Sequence, residues 1–510
     1  MRQSAQDHRL QRQDESSLLL PNPWDIPVRV LANADIPLQR EAVDELSDVL
    51  AIQATIDALL RAAPDFFAGA PDPRLLNVVV TPDFHKGAGI PIGTVLQTRG
   101  FAVPQAIGND VNCGMRLMTT SLSRESVGAR LDELERALRH IFFEGGRTIA
   151  LAPAQREALL RDGLPGLLLS SLDGPAGAWR LGEGDADADL ARMHGGGGYS
   201  AGLTPALADY VAGTGQASYD SLIGSLGGGN HFAEIQYVSK ILDRGAAHAW
   251  GLREEQVVVM IHAGSLGLGH AANQTVLDAM RRIYPDQAPR PGNGIYPLPA
   301  GERWAGAFEQ FRTALRNAAN FAFGNRFFLS QMVRRALERA VGPLETAVLY
   351  DAPHNLMWEQ PGQTFLHRKG ATPAGGWAEV AGTVYEHWGE PVIVPGSMGA
   401  PSYLLLGGGN DRALCSACHG AGRVMSRGAA MQVDDAELDA FLAAFRVVTP
   451  VDPRRPDVRG RRDILAKWRQ EVKQEAPFAY KAIAPVIDTL RAADVARPVA
   501  ELYPLMTVKG

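Results

Sequence analysis

The sequence predicts an α+β fold, in which helices and strands are mixed within one large domain. Short runs rich in β-branched residues alternate with longer apolar patterns of helical period. The strand-like runs cover residues 75–80, 256–262, 346–351 and 391–394, and the helical patterns cover residues 39–63, 305–341 and 434–445. No Pro- or Ser-rich linker and no internal repeat divides the chain. We therefore expect one integrated domain rather than a series of modules.

Three segments depart from this pattern. Residues 1–25 are polar and are predicted to form a flexible N-terminal arm, which leaves residues 26–510 for the domain itself. Residues 163–202 are rich in Gly, Asp and Ala and include four glycines after His194, so they are predicted to be a loop-rich insertion. Residues 81–93, rich in Gly and Pro, are predicted to form a loop after the first long strand.

The composition limits the classes of protein to consider. Of the 510 residues, 46% are hydrophobic, which allows a sizeable core and argues against global disorder. The formal net charge of −6 means that contact with a polyanion would need a local basic patch. Three cysteines are too few for a disulfide framework, and we find neither a secretory signal nor an apolar run long enough to span a membrane. A cytoplasmic protein without membrane contact is expected.

One segment is clearly basic. Residues 454–473 contain eight Lys or Arg residues against three acidic residues, Asp457, Asp463 and Glu471. Such a stretch is typical of a solvated helix face, and it also fits contact with a phosphate backbone. Both interpretations stay open from the sequence.

Five residues are candidate metal ligands. Asp110 and Cys113 lie three positions apart, so that both side chains can reach one metal or one metal pair. His231 follows a glycine-rich turn, and His262 and His354 lie at the ends of strand-like runs. A single histidine of this kind is more often a structural residue, but five ligand-type residues in matching contexts favour a metal site. Mixed thiolate, imidazole and carboxylate ligands suit Mn, Fe, Co or Zn better than Ca or Mg.

Five ligands could hold two metals, with the thiolate as a bridge. Two neighbouring metals suit phosphoryl chemistry, because together they bind a phosphate and neutralise the charge that develops on it.

His419 is a candidate nucleophile within the segment Cys-His-Gly-Ala-Gly-Arg of residues 418–423. The flanking glycines let a phosphate approach the backbone, and Arg423 and Arg427 could bind phosphate oxygens. A neutral imidazole nitrogen can attack phosphorus when a metal withdraws charge from that phosphate. Taken alone, the segment also fits a loop before a helix with an incidental histidine. A Gly-Lys phosphate loop is absent, and Cys415 and Cys418 have no second cysteine pair with which to form a zinc site.

A series of motifs, in order, resembles one known family. The motifs are Pro-Asp-Phe-His (82–85), Asp-Val-Asn-Cys-Gly-Met-Arg (110–116), Gly-Asn-His-Phe-Ala-Glu (229–234), His-Ala-Gly-Ser (262–265), His-Asn (354–355), His-Arg-Lys-Gly-Ala-Thr (367–372), Pro-Gly-Ser-Met-Gly (395–399), residues 418–427 and Val-Lys-Gly (508–510). Together they resemble the RtcB-type RNA-splicing ligases from about residue 81 to the end of the chain. The resemblance implies a catalytic domain of RtcB-like fold, with strand-end loops that form a dinuclear metal site.

The resemblance also implies a chemical scheme. Family members join RNA 3′-phosphate or 2′,3′-cyclic phosphate ends to 5′-hydroxyl ends, with GTP and manganese, through a histidine–GMP intermediate. The implied catalytic residues are His419, which would receive GMP, and Asp83, which would lie near the metals and could assist cyclic phosphate hydrolysis. The implied ligands of two Mn²⁺ ions are Asp110, Cys113, His231, His262 and His354.

The same resemblance assigns a nucleotide pocket and RNA contacts. The expected GTP or GMP pocket comprises Asn230, His231, Phe232, Ala233, Glu234, His354, Asn355, Pro395, Gly396, Ser397, Met398, Ser402, His419, Gly420, Ala421, Gly422, Tyr480 and Lys509. The expected contacts to RNA phosphate are Arg368, Lys369 and Arg423.

The chain departs from the family pattern at two positions. Leu266 and Pro373 stand where the family usually has arginine, and each lost charge-assisted contact is worth on the order of 1.5–3 kcal/mol. Lys86 could compensate in part. Three alternatives to ligation stay open: guanylyl capping of a 3′ end without joining, hydrolysis at the metal pair by a phosphodiesterase or phosphatase, and non-catalytic binding of RNA ends. The last of these stays open because of Leu266 and Pro373. The sequence also leaves open whether an activating protein partner is needed.

Overall fold

The strands carry the framework of the protein, which we describe from a computed structural model covering residues 7–147, 149, 151–170, 186–213 and 223–510. In chain order the strands are β1 (Gln11–Arg12), β2 (Ser17–Leu19), β3 (Val28–Leu31), β4 (Arg74–His85), β5 (Ile92–Arg99), β6 (Phe101–Ala102), β7 (Gly114–Ser123), β8 (Phe232–Ile241), β9 (Gln256–Ala263), β10 (Leu298–Pro299), β11 (Thr346–Pro353), β12 (Asn355–Gln360), β13 (Thr364–Lys369), β14 (Ala371–Pro373), β15 (Pro391–Val394), β16 (Ser402–Gly407), β17 (Ser416–Cys418), β18 (Arg446–Val448) and β19 (Ala496–Val508).

The helices lie between these strands and cover the sheets. They are α1 (Arg40–Ala62), α2 (Arg124–Gly128), α3 (Leu131–Phe143), α4 (Pro153–Ser170), α5 (Ala186–Ala191), α6 (Ala208–Ala212), α7 (Arg244–Ala249), α8 (Leu266–Ile283), α9 (Ala305–Val341), α10 (Arg427–Ala430), α11 (Asp435–Ala444), α12 (Arg462–Gln474) and α13 (Ile483–Ala492). Among the described residues, no helix is both long and apolar enough to cross a membrane.

Two large sheets organise the fold. One has seven strands in the order β1-β2-β3-β4-β5-β13-β12, and the other has the order β11-β7-β9-β8-β19-β16-β15, with β18 paired to β19. Pairing is antiparallel except between β3 and β4 and between β18 and β19. The predicted mixture of helix and strand in one domain is confirmed.

Strand β9 shows why a continuous apolar run fits the middle of the second sheet. Val257, Val259 and Ile261 pack on one face against the long helix α9. Val258 and Met260 point to the opposite face and pack with residues of β7, β8 and β19. Because successive side chains of a strand alternate between faces, a strand buried on both sides needs no polar positions. The strand predicted over residues 256–262 is therefore confirmed.

The predicted N-terminal arm is wrong over its described part, residues 7–25. Strands β1 and β2 extend the seven-stranded sheet through β3, and Leu18 and Leu20 are buried. A few apolar side chains within a polar segment are enough to attach it to an existing sheet edge. Residues 1–6 lie outside the described residues.

Two loop predictions also differ from the structure. Strand β4 continues through His85, so only residues 86–91 of the predicted loop over 81–93 connect β4 to β5. In the predicted insertion, residues 163–170 belong to α4, which is kinked at Gly163, and residues 186–197 contain α5 and a short 3-10 helix. Residues 171–185 lie outside the described residues. Glycine and proline here bend a helix instead of ending it.

A buried ion triad joins the second sheet to helix α9. The Asp351 carboxylate of β11 accepts hydrogen bonds from Nε of Arg116 (2.7 Å) and Nε of Arg326 (2.9 Å), and these three side chains are almost fully buried. Arg326 also donates to the backbone oxygens of Asn112 (2.7 Å) and Ala263 (3.0 Å). The triad therefore holds together the beginning of β7, the end of β9 and the end of β11.

Removing the Asp351 carboxylate should destabilise the protein strongly. Asp351→Ala leaves two buried guanidinium groups without their counter-ion, and we expect the free energy of unfolding to fall by about 3–5 kcal/mol. Urea unfolding followed by circular dichroism measures this loss. Asp278→Ala, which removes an exposed ion pair with Arg281, is the matched control and should change stability by less than about 1 kcal/mol. Equal stabilities of the two variants would contradict this role of the triad.

Candidate active site

The predicted metal ligands meet at one edge of the second sheet. Cys113 immediately precedes β7, His231 immediately precedes β8, and His262 lies near the end of β9. The strand register places Phe232 and Met115 on either side of His262, and His354 follows the end of β11. In antiparallel strands the start of one strand lies beside the end of its neighbour. Ligands distant in sequence are therefore brought together at this edge.

The thiol of Cys113 lies at the centre of the ligand cluster. Its Sγ is 3.1 Å from Nε2 of His231 and 3.2 Å from Nε2 of His262. The carboxylate of Asp110 lies 2.9 Å from Nε2 of His231, and Nε2 of His354 lies 3.2 Å from Nε2 of His262. Two groups of three ligand atoms result, one formed by Asp110, Cys113 and His231 and the other by Cys113, His262 and His354. Cys113 belongs to both groups, which is the arrangement expected of a bridging thiolate.

The hydrogen bonds of the histidine rings fit metal binding. Nδ1 of His231 donates to the backbone oxygen of Leu226 (2.7 Å), and Nδ1 of His262 donates to that of Asn230 (3.1 Å). Because Nδ1 carries the proton in both rings, each Nε2 presents a lone pair toward the cluster. Converging lone pairs repel one another unless a cation lies between them. The donor set therefore fits a pair of divalent transition metals.

Close packing and burial shape the same site. A Cβ atom on Gly264 would lie 2.4 Å from Oδ1 of Asp110, so only glycine allows this carboxylate to reach the cluster. Burial raises the pKa of the Cys113 thiol well above its ordinary value and lowers the pKa of the imidazoles of His262 and His354. Burial therefore keeps the imidazoles neutral, the form that binds a metal, and it disfavours the thiolate until a cation compensates its charge.

His419 lies directly beside the metal ligands. Its ring centroid is 4.6 Å from that of His354 and 6.3 Å from that of His262. Nδ1 of His419 lies 2.6 Å from Oδ2 of the fully buried Asp83, which also accepts a hydrogen bond from the Thr81 hydroxyl. Burial raises the pKa of Asp83, but the neighbouring His419 ring and the hydrogen bonds outweigh it, so the net pKa is lowered. The carboxylate therefore orients the ring and leaves Nε2 directed away from Asp83.

A cavity of about 550 Å³ opens in front of the metal ligands and His419. Tyr480 forms part of its wall, and the guanidinium of Arg423 stacks over the Tyr480 ring at 5.0 Å. Glu475 accepts hydrogen bonds from the Tyr480 hydroxyl, from Arg423 (3.3 Å) and from Arg427 (3.0 Å). Lys509 lines another part of the wall and donates to the backbone oxygens of Gly229 and His231. Burial lowers the pKa of Lys509 to about 8.

A family model described as "tRNA-splicing ligase RtcB" matches residues 72–510. The chain belongs to the RtcB family.

Relatives from distant organisms agree with this assignment. The tRNA-splicing ligase RtcB of Thermococcus kodakarensis is 33% identical over 85% of the chain and 87% of its own length. That of Pyrobaculum aerophilum is 30% identical over 96% of the chain and 97% of its own length. The RNA-splicing ligase RtcB of Mycobacterium tuberculosis is 34% identical over 84% of the chain and 96% of its own length. The similarity is thus spread over nearly the whole chain.

Most residues expected in the nucleotide pocket line the cavity. They are Asn230, His231, Phe232, His354, Asn355, Pro395, Gly396, Ser397, Met398, His419, Gly420, Ala421, Gly422, Tyr480 and Lys509. The structure therefore brings Lys509 and residues 419–422 to the same cavity, although about 90 residues separate them in sequence.

Three expected pocket residues lie behind the wall instead. Ala233 is fully buried in the core beneath β8, because its side chain points to the face opposite that of Phe232. Glu234 and Ser402 are joined by Gln236, whose amide donates to Glu234 Oε1 (2.7 Å) and to the Ser402 hydroxyl (2.9 Å). The Ser402 hydroxyl in turn accepts from the backbone N–H of Gly396 (3.2 Å). These residues support the loop at 395–398, and Gln236 carried no sequence signal for this role.

Of the three predicted RNA-phosphate residues, Lys369 and Arg423 line the cavity and Arg368 does not. Lys369 lines the cavity, whereas Arg368 points to the other face of β13, where it stacks on Trp358 at 4.2 Å and binds Ser416. The alternation of strand side chains explains this separation. The donors of Arg423 are engaged by Glu475, Tyr480 and the backbone oxygens of Gln474 and Met425.

The other cationic and family-pattern positions noted in the sequence also lie partly at the cavity and partly away from it. Lys86 and Arg427 line the cavity, but Pro373 lines a separate cavity with Arg368. In the basic stretch at residues 454–473, six of the eight cationic side chains lie within 4.0 Å of a carboxylate. They are Arg454, Arg455, Arg461, Lys467, Arg469 and Lys473. This pairing supports the solvated helix face over a phosphate-binding surface.

Loss of the central thiol should remove both metal sites together. Because Cys113 belongs to both ligand groups, we expect Cys113→Ala to bind almost no metal after incubation with Mn²⁺ and dialysis, whereas His354→Ala should lose one of two equivalents. Elemental analysis by mass spectrometry measures this. The control is Cys415→Ala, since Cys415 is partly exposed and outside both groups. Undiminished metal content in Cys113→Ala would contradict the assignment.

Glu234 should make the stability of the protein depend on pH. Burial raises the pKa of Glu234 from 4.5 to about 7. When folding raises the pKa of a carboxyl group, the free energy of unfolding falls as the pH rises from the unfolded pKa to the folded pKa. For Glu234 this interval runs from about 4.5 to 7, and the loss is up to about 3 kcal/mol. Glu234→Gln removes this loss, so the stability of the variant relative to the wild type should increase as the pH rises over that interval. Urea unfolding at several pH values tests it, and parallel pH profiles would refute it.

Proposed function

We propose that this protein joins RNA 3′-phosphate or 2′,3′-cyclic phosphate ends to 5′-hydroxyl ends, using GTP and manganese, through a covalent His419–GMP intermediate. The observation that carries the proposal is the position of His419. Its Nδ1 faces Asp83, and its ring lies against His354 in the wall of the cavity that the metal ligands share.

The proposed first step is attack by Nε2 of His419 on the α-phosphorus of GTP. An N–P bond forms, the bond to the pyrophosphate oxygen breaks, and pyrophosphate leaves. The Asp83 carboxylate lies 2.6 Å from Nδ1, so it stabilises the positive charge that the ring gains during attack. Bound at Asp110, Cys113, His231, His262 and His354, a pair of Mn²⁺ ions would act as Lewis acids on phosphate oxygens.

The next two steps complete the proposed reaction. A 2′,3′-cyclic phosphate is first opened by water, which breaks the bond between phosphorus and the 2′-oxygen and leaves a 3′-phosphate. An oxygen of the RNA 3′-phosphate then attacks the phosphorus of the bound GMP, and the N–P bond breaks, which restores His419. The 5′-hydroxyl oxygen of the second RNA end then attacks the 3′-phosphorus, gives up its proton, and displaces GMP. The result is a phosphodiester bond between the two ends.

The cavity wall supports binding of a nucleotide in this reaction. The Tyr480 ring is held by Arg423 and by the hydrogen bond of its hydroxyl to Glu475, so it offers a rigid surface against which a base can stack. Lys509 and the loop at 395–398 form the rest of the wall. A hydrolase would need only the metal ligands, so the nucleotide wall around His419 favours nucleotidyl transfer.

Cationic side chains near the cavity support binding of an RNA end. Lys86 is exposed at the cavity, Lys369 is buried in its wall, and Arg427 keeps about half of its side chain exposed. Burial lowers the pKa of Lys369 to about 8. A phosphate that approaches Lys369 supplies the counter-charge that its buried ammonium lacks.

Labelling with nucleotide tests the proposed intermediate. Wild-type protein incubated with Mn²⁺ and α-labelled GTP should acquire acid-labile label, as a phosphoramidate does, and His419→Ala should acquire none. The matched control is His387→Ala, because His387 is 85% exposed and remote from the cavity lining, and it should label like the wild type.

RNA substrates then separate joining from capping. An RNA with a 3′-phosphate and a second RNA with a 5′-hydroxyl should yield a longer, joined product. Capping alone would add GMP to the 3′ end of the first RNA and leave the second RNA unchanged. Wild-type protein that takes no label would rule out both the ligase and the capping functions. Label retained in His419→Ala would show that another residue is the nucleophile.

A further inference from the structure

We propose that Lys481 is a positioning residue for the nucleophile, because its ammonium fixes the segment that carries Asp83 against the segment that carries His419. The inference rests on the proposed function, in which the orientation of the His419 ring sets the rate of attack on GTP. Lys481 does not line the cavity, so its effect would pass through Asp83.

The side chain of Lys481 binds the carbonyl groups of the two residues that flank Asp83. Its Nζ donates to the backbone oxygen of Pro82 at 3.0 Å and to that of Phe84 at 2.7 Å. Lys481 is 4% exposed, so these oxygens have no ready access to water. Asp83 lies between the two residues whose carbonyl groups are anchored, and its carboxylate contacts the His419 ring. The position of that carboxylate therefore depends on the ammonium group.

The backbone of Lys481 holds the nucleophile segment at the same time. Its N–H donates to the oxygen of Gly422 at 2.9 Å, and the N–H of Val424 donates to the oxygen of Ala479 at 2.9 Å. Residues 479–481 thus pair with residues 422–424, three positions after His419. One residue therefore joins the Asp83 segment through its side chain and the His419 segment through its main chain.

Gly422 brings the two segments into direct contact. Its φ angle is +77°, and a Cβ atom at this position would lie 2.1 Å from the backbone oxygen of Asp83. The two backbones are therefore as close as they can be without a side chain between them. Contact this close transmits a small displacement of one segment to the other.

An ammonium group suits this role better than other side chains. Two carbonyl oxygens need two donors on one atom, and an ammonium group supplies both while it places a positive charge near the Asp83 carboxylate. Burial lowers the pKa of Lys481 to about 8, against the opposing effect of Asp83, so the group stays charged near pH 7. Methionine has a similar length but leaves both oxygens unpaired, and glutamine offers two donors on a shorter side chain that carries no charge.

The first measurement observes the ring itself, without GTP or metal. In metal-free protein labelled with ¹⁵N-histidine, the His419 ring should show one tautomer with the proton on Nδ1, and the signals are assigned by their loss in His419→Ala. Lys481→Met should abolish this single tautomer, as Asp83→Asn should. Lys240→Met is the matched control, since Lys240 lies exposed on β8, and it should leave the His419 signals unchanged.

The second measurement is the rate of covalent labelling at saturating GTP. In Lys481→Met we expect this rate to fall by roughly tenfold to a hundredfold, with the half-saturating GTP concentration changed by less than about twofold. Lys481→Gln, which keeps an amide donor, should lie between Lys481→Met and wild type in both measurements. If Lys481→Met does not fold, Lys481→Gln replaces it in both measurements.

The two hypotheses fail in different ways. A folded Lys481→Met or Lys481→Gln with the His419 tautomer and labelling rate of Lys240→Met would overturn the proposed role of Lys481. A loss of rate caused only by weaker GTP binding would also overturn it. If wild-type protein takes no label at all, the proposed ligase function fails, while the tautomer of His419 in the Lys481 variants still decides whether Lys481 positions the ring.

Discussion

The buried triad of Arg116, Asp351 and Arg326 is the interaction on which the proposed metal site depends. Each of its residues belongs to a different element, namely β7, β11 and α9, and Arg326 extends the contact to the backbone beside Cys113 and beside His262. Burying three charges costs desolvation that apolar side chains would avoid. The triad instead fixes the relative positions of β7, β9 and β11, because charged hydrogen bonds tolerate little displacement. Ligands at three strand ends are held in one arrangement before any metal binds.

His419, the proposed nucleophile, has an independent support, which comes from β17 and β4 and not from the second sheet. His419 follows β17, a short strand paired with β14, and its ring is oriented by Asp83 from β4 of the first sheet. The metal ligands belong mainly to the second sheet. The cavity therefore lies where the two sheets meet, and His354, at the junction of β11 and β12, connects them. A phosphate bound there would face a nucleophile from one sheet and cations from the other, which is the requirement for nucleotidyl transfer.

The sequence predicted what depends on local pattern and on motifs, and it missed what depends on long-range contacts. The strands at residues 256–262 and 391–394 and the helix at 305–341 follow from apolar period, and they are confirmed. The five metal ligands follow from motifs at strand ends, and the structure brings them together. Arg368 and Lys369 could not be separated, because a motif does not show which face of a strand each residue occupies. Gln236 and Lys481 act through partners over 160 residues away, and no local signal marks such contacts.

The two departures from the family pattern have different weights once their positions are known. Pro373 lines a separate cavity with Arg368, so the absence of arginine there takes no charge from the proposed RNA site. Leu266 stands beside the metal ligands, where its backbone N–H donates to Asp110 at 2.9 Å. An arginine at this position would add positive charge at the edge of the site, and leucine does not. In the proposed reaction, binding of the RNA phosphate therefore falls to Lys86, Lys369 and Arg427, which line the cavity that contains His419.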